Sequence, residues 1–266
     1  MRQRPLHEIT PPAPGTAPAV SYDASGIGRK KGVFVKTFAD KVIAFNRTLS
    51  YDTPLPEGIR VMNPFAENEW ALTASSAFYR KYYDDNRPRV MLMGINPGRF
   101  GCGLTGVPFT DPKRLVERCS IDAYKGEPAH EPSSVFVYEV IRQYGGEEKF
   151  YGKFYINSAC PLGFTIAKNG REVNYNYYDR KDLQESATPF IIDTMRKQIA
   201  FGLRTDACLC LGMGKNAGFV QKLNAGHGFF QRIIPLEHPR YVIQYKSKQM
   251  QSYVDKYLEV LRKAAG

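Results

Sequence analysis

The sequence predicts an α/β protein, a three-layer α/β/α sandwich around a short, mostly parallel four-stranded sheet. Three observations carry that expectation. Val90–Met93 and Ala207–Leu211 are apolar runs without alternation, which read as strands buried on both faces of a parallel sheet. Stretches with apolar residues at helical spacing alternate with these runs. Glycine and proline then cluster after the strands, where the chain must turn sharply.

Residues 1–34 carry Pro-Pro-Ala-Pro-Gly-Thr-Ala-Pro and Gly26-Ile27-Gly28-Arg29-Lys30-Lys31 without apolar periodicity. They are expected to form a flexible, basic, proline-rich extension, and residues 35–266 a single domain. The extension lacks the apolar core of a secretory signal. Phe38, Val42, Phe45 and Leu49 recur at helical spacing and predict a first helix. A second is expected over about 67–83, anchored by Trp70, Phe78 and Tyr82, before Asn86-Arg87-Pro88 hands over to the strand at Val90. Asp111-Pro112 reads as a helix start, with Asp at the cap and Pro in the first turn. Further helices are expected over Ser133–Tyr144 and Leu183–Gly202, through Phe219 and Leu223, and over Lys248–Arg262. Lys153–Ala159 and Ile233–Leu236 complete the strands. Thr165–Asp179, rich in Asn and Tyr, reads as a loop, and Gly212-Met213-Gly214-Lys215 as a tight turn too short for a nucleotide fingerprint.

The formal net charge is +11. Such a balance points to a polyanionic partner, nucleic acid or an anionic membrane surface. No apolar run approaches the roughly 20 residues a membrane helix needs, so no membrane association is expected. The five cysteines, Cys102, Cys119, Cys160, Cys208 and Cys210, form no CxxC pair. They read as free thiols of a reducing compartment, and neither a metal nor a cofactor is expected.

The most informative stretch runs from Pro88 to Asp111. The strand breaks at Gly94, passes Asn96-Pro97-Gly98, and continues through more glycines to Pro108-Phe109. In an open α/β sheet the carboxyl end of a strand is where ligands bind. An amide and an aromatic ring set in backbone this sharply turned make a site of that kind, although a glycine-rich structural turn would read alike.

The spacing of Gly94-Ile95-Asn96-Pro97-Gly98-Arg99-Phe100-Gly101 and Thr105-Gly106-Val107-Pro108-Phe109 resembles the first motif of the single-strand-selective monofunctional uracil-DNA glycosylases, within the uracil-DNA glycosylase superfamily. Met62-Asn63-Pro64-Phe65, Cys160-Pro161-Leu162 and His238-Pro239 resemble three further family segments, in the family's order, so the likeness spans roughly 38–262. The resemblance implies a monofunctional repair enzyme that flips uracil, or another deaminated base, out of single- or double-stranded DNA and hydrolyses its N-glycosidic bond with water. It implies Asn96 and His238 as catalytic residues. Phe109, Ser158, Asn157, Gly98 and Ile95 would hold the base, and Arg240, Arg99 and Lys246 the DNA. A monomer is expected, in the cytoplasm of a bacterium or the nucleus of a eukaryote.

This chain departs from the family pattern in three places. The residue two before Cys160-Pro161-Leu162, an Asn in the family, is Ser158, with Asn157 one place away. Neighbours on a strand face opposite sides, so one of the two reads the base edge. Arg99 stands where Pro is usual. His238-Pro239-Arg240-Tyr241-Val242 replaces a longer wedge segment. With Ser in place of Asn the pocket is roomier and less exacting, which extends the expectation to hypoxanthine or xanthine. A non-catalytic nucleic-acid-binding relative and a small-molecule nucleotide-binding protein are the competing classes.

Overall fold

A computed structural model describes residues 35–266; the extension expected over 1–34 lies outside the described residues. The chain enters α1 (Phe38–Arg47) through a capping box in which Thr37 and Asp40 satisfy each other's backbone N–H. β1 (Ile59–Met62), α2 (Pro64–Glu67) and α3 (Glu69–Tyr83) follow. The helix expected from 67 therefore starts at 69, because extended Asn68 turns the chain and caps Trp70 N–H. β2 (Arg89–Gly94) is buried throughout. Then come α4 (Cys102–Thr105), α5 (Pro112–Glu117), α6 (Pro132–Tyr144), α7 (Glu147–Tyr151) and β3 (Phe154–Ser158). β4 (Gly163–Lys168), β5 (Arg171–Tyr175), α8 (Lys181–Ile199), β6 (Leu203–Leu211), α9 (Lys215–His227) and β7 (Ile233–Leu236) lead to α10 (Pro239–Tyr245). A 3-10 turn at Ser247–Gln249 and α11 (Met250–Ala265) close the chain.

The main sheet has four parallel strands in the order β3-β2-β6-β7. Consecutive residues of β3 point to opposite faces and so reveal the layers. Tyr155 meets Phe38 of α1 at 5.1 Å between ring centroids, while Phe154 meets Tyr144 of α6 at 5.3 Å. α11 packs outside the second face, with Tyr257 edge-on to Phe136 at 4.9 Å. This is the predicted three-layer sandwich. Five free cysteines are buried within it.

Two expectations are corrected. Thr165–Asp179 is not a loop: β4 and β5 form a hairpin that pairs with β1 in a separate antiparallel sheet, order β1-β4-β5. Its turn is Asn169-Gly170, both with positive φ (52° and 70°), the pair that a two-residue hairpin demands. Between His238 and the closing helix, where no element was expected, the chain forms α10. Pro239 fills the first helical position of α10, and His238 caps it. Both corrected segments bring residues to the carboxyl ends of β2, β3 and β7.

Candidate active site

A cavity of about 570 Å³ opens at those strand ends. Its floor is the loop after β2. Gly94 pairs in register with Ser158 on β3, so the Ser158 hydroxyl rises on the face that Gly94 leaves bare. A Cβ at residue 94 would stand 3.5 Å from the Phe109 ring and 3.6 Å from Ser158 Oγ, and the ring and the hydroxyl therefore share one corner. Asn157 points the other way. Its amide donates to Tyr155 Oη (2.7 Å), and its carbonyl oxygen accepts the Ser158 N–H (2.8 Å). Of the two candidates for the base edge, Ser158 lines the cavity and Asn157 does not.

Phe109 has φ of 53°, a left-handed conformation that is costly for a bulky side chain and persists only when its surroundings impose it. Thr105 supplies the constraint. Its hydroxyl donates to Thr110 O (2.6 Å) and accepts the Val107 N–H (3.1 Å), pinning the turn on both sides. The strained backbone swings the Phe109 ring toward His238, 5.7 Å away between centroids.

Asn96 is held by the hairpin that the sequence did not reveal. Its Nδ2 donates to Tyr175 O (3.2 Å) and its Oδ1 accepts the Tyr177 N–H (3.2 Å). Two backbone partners of opposite sense fix which way the amide lies. Tyr177 is anchored in turn by its hydroxyl on Asn216 Oδ1 (2.6 Å). Asn174 accepts the Arg99 N–H (3.1 Å), and with Asn176 and Tyr178 it forms the hairpin's share of the wall. Gly98 stays close-packed because its carbonyl receives the Gly103 N–H (2.9 Å), and Ile95 lines the cavity beside it.

His238 Nδ1 accepts the Arg240 N–H (3.1 Å) as the cap of α10. Burial, and then the Arg240 cation, hold its imidazolium down to about 4, so the ring is neutral near pH 7. With Nδ1 accepting, the single ring proton sits on Nε2. Glu131 is the opposite case. Burial first, then the Asp111 carboxylate, push its carboxyl up to about 7, while Arg240 pulls it back.

Of the cations expected on DNA, Arg240 lines the cavity and Arg99 does not. Arg99 reaches toward Glu172 (3.8 Å) and lies over the Phe100 ring. Lys246 ends α10 away from the cavity wall. The sequence reading missed Glu131, Asn174, Tyr178 and the exposed pair Tyr241 and Tyr245, whose rings stand 5.6 Å apart on α10. Asn169-Gly170 between alternating residues was a legible hairpin signal that could have located Asn174. Glu131, a residue before Pro-Ser-Ser, carries no signal beyond a helix start. Among the described residues no group of metal ligands occurs, and no helix is long and apolar enough to cross a membrane.

An aromatic face, a hydroxyl and a neutral N–H donor converge at the strand ends of a parallel α/β sheet. They suit an enzyme that grips a flat heterocycle and carries negative charge developing on it. The family model of the uracil DNA glycosylase superfamily matches residues 80–262. A crystal structure of wild-type SMUG2 from Pedobacter heparinus is 56% identical and matches with a TM-score of 0.84, over 86% of this chain and 98% of that one. No curated protein matches. The chain belongs to the uracil DNA glycosylase superfamily and is a DNA glycosylase, a hydrolase of N-glycosyl bonds.

Proposed function

We propose that this enzyme removes uracil, and other deaminated bases, from DNA in base-excision repair, acting as a monomer on a base flipped out of single- or double-stranded substrate. The observation that carries the reading is the Nδ1 cap of His238, which leaves a proton on Nε2 of a neutral ring. Cleavage of the C1′–N1 bond sends its electron pair onto the base, and a neutral N–H donor takes up the charge at a uracil oxygen without a charge of its own. A donor of this kind contributes about 3 kcal/mol to the transition state. Phe109 stacks on the flipped ring, and Ser158 meets its pairing edge. Asn96 cannot take a proton as a carboxylate does, so it orients the water that adds to C1′. Arg240, which lines the cavity, holds a backbone phosphate. Gly98 and Ile95 let the base approach the backbone of the loop. Asn157 is left with a structural part, through its bond to Tyr155.

The test is incubation with a uracil-containing single-stranded oligonucleotide, followed by alkali. Strand cleavage at the uracil is expected from the wild type and not from His238→Ala. DNA binding without cleavage by the wild type would instead mark a non-catalytic relative.

A further inference from the structure

Glu131 is a buried ionisable group of the cavity wall that the reading above does not use. The residue lines the cavity, and its Oε2 is buried without a hydrogen-bond partner. An unpartnered buried carboxyl is costly, yet the surrounding residues are arranged to keep it there. Fully buried Asp111 accepts the Glu131 N–H (3.0 Å) and the Ser134 hydroxyl (3.0 Å), which fixes the turn into α6. On the other side the carboxyl lies against Gly101, where a Cβ would collide with it. Only glycine leaves that niche open.

We propose that Glu131 is a general acid for two-ring bases, giving its proton to a ring nitrogen of a departing deaminated purine such as hypoxanthine. The inference rests on the glycosylase reading above and deepens it. Uracil leaves through a nitrogen next to a carbonyl, and an N–H donor at that oxygen takes up the charge. A purine leaves through N9 of its five-membered ring, which has no carbonyl beside it, so the charge is relieved by a proton at N7. In the balanced step the C1′–N9 bond breaks and its electron pair passes to the base. The proton moves from Glu131 to N7, and the base departs neutral. Water adds to C1′, and the proton it loses returns to the Glu131 carboxylate.

The surroundings suit this task. A carboxyl held near 7 by burial and by Asp111 still carries its proton near neutral pH, where a general acid works best. The charged and titratable groups around it are Asp111, with His130 and Arg114 on that carboxylate, Arg240 from α10, and Cys102 of α4. Burial raises the Cys102 thiol and keeps it neutral. The cavity has room for a second ring, and the short Ser158 side chain adds to it.

The experiment compares single-turnover excision of hypoxanthine and of uracil from matched oligonucleotides by the full chain, across roughly pH 5.5 to 8.5. In Glu131→Gln the hypoxanthine rate is expected to fall about 100-fold relative to the uracil rate. In the wild type it declines as pH rises through about 7, a decline that uracil excision does not share. Gly101→Ala keeps the acid but fills its niche, and should lower the same ratio; it also decides the matter if Glu131→Gln does not fold. A wild type that releases uracil but not hypoxanthine overturns the inference and leaves the glycosylase reading standing. So does a ratio that neither variant changes. A wild type that releases neither base removes both.

Discussion

Arg89, at the amino end of β2, and Glu131, beside the loop at its carboxyl end, are both ionisable groups withdrawn from water. Arg89 has no exposure, and its bonds engage every guanidinium nitrogen: Nε with Tyr151 O, Nη1 with Asp85 and Arg87 O, and Nη2 with Asp85 and Tyr82 O. Its guanidinium also lies over Tyr83 and Phe38, 4.6 and 5.0 Å from the ring centroids. Burial alone would raise the Asp85 carboxyl, but hydrogen bonds from Arg89 and Arg87 hold it at about 2. Glu131 has no such partner: its Oε2 is buried unbonded beside Gly101, and the residue lines the cavity. One end of the strand spends its buried charge on holding α3, α7 and the sheet together. The other leaves a carboxyl oxygen unbonded where a ligand is to arrive. Unpaired polarity at a strand's carboxyl end is thus a mark of function, and full pairing at the opposite end a mark of structure.

The largest effect expected is on the structural side. Arg89→Met leaves three backbone carbonyls without their donor and Asp85 with Arg87 alone, and should cost about 3–5 kcal/mol in denaturant unfolding. Excision per folded molecule should hold. A loss of activity without a loss of stability would erase the contrast between the two ends.

On the functional side, Asn96→Ala and His238→Ala should each slow single-turnover uracil excision at least about 100-fold, with little change in melting temperature. Because protonation of His238 lies near pH 4, the wild-type uracil rate should hold from neutral pH down to about 5 and fall below that. A fall centred on the ordinary histidine range would place the ring in a wetter setting than the cavity wall.

A smaller effect tests the energetic claim about Glu131. Its folded-state value, about 7, lies above that of the unfolded chain, so the folded protein holds the proton longer. Stability therefore declines as pH rises between the two values, and the full penalty is present above about 7. Glu131→Gln should melt higher than the wild type at pH 8, with the gap closing toward pH 5. An equal gap at both ends would mean that the carboxyl is already paired.

The smallest effects separate the two neighbours on β3. Ser158→Asn should shift preference toward uracil over xanthine, because a planar amide fixes both a donor and an acceptor at the base edge. Asn157→Ala should leave preference alone and cost about 1 kcal/mol of stability through the lost bond to Tyr155. The reverse pattern would turn the strand over.

Much of this is legible in the sequence. Buried strands announce themselves by unbroken apolar runs, and the order of motifs placed Asn96, Phe109 and His238 at strand ends. Those properties live in short windows of chain, which is why the sequence by itself determined the parallel sheet and its loaded edge. It also posed the choice between Asn157 and Ser158, since alternation requires that one face away, but which one does so depends on the register of β3 against β2. The tertiary structure alone decided that Asn96 is gripped by a hairpin some 80 positions later, that Phe109 is forced into a strained turn, and that Gly101 makes a niche for a carboxyl thirty residues on. The first and the last are contacts between segments far apart in sequence, the second a local turn that Thr105 fixes within the packed cavity wall, and a carboxyl's proton affinity is set by what is packed around it. A glutamate before a helix reads the same in water as in a cavity wall until the chain has closed over it.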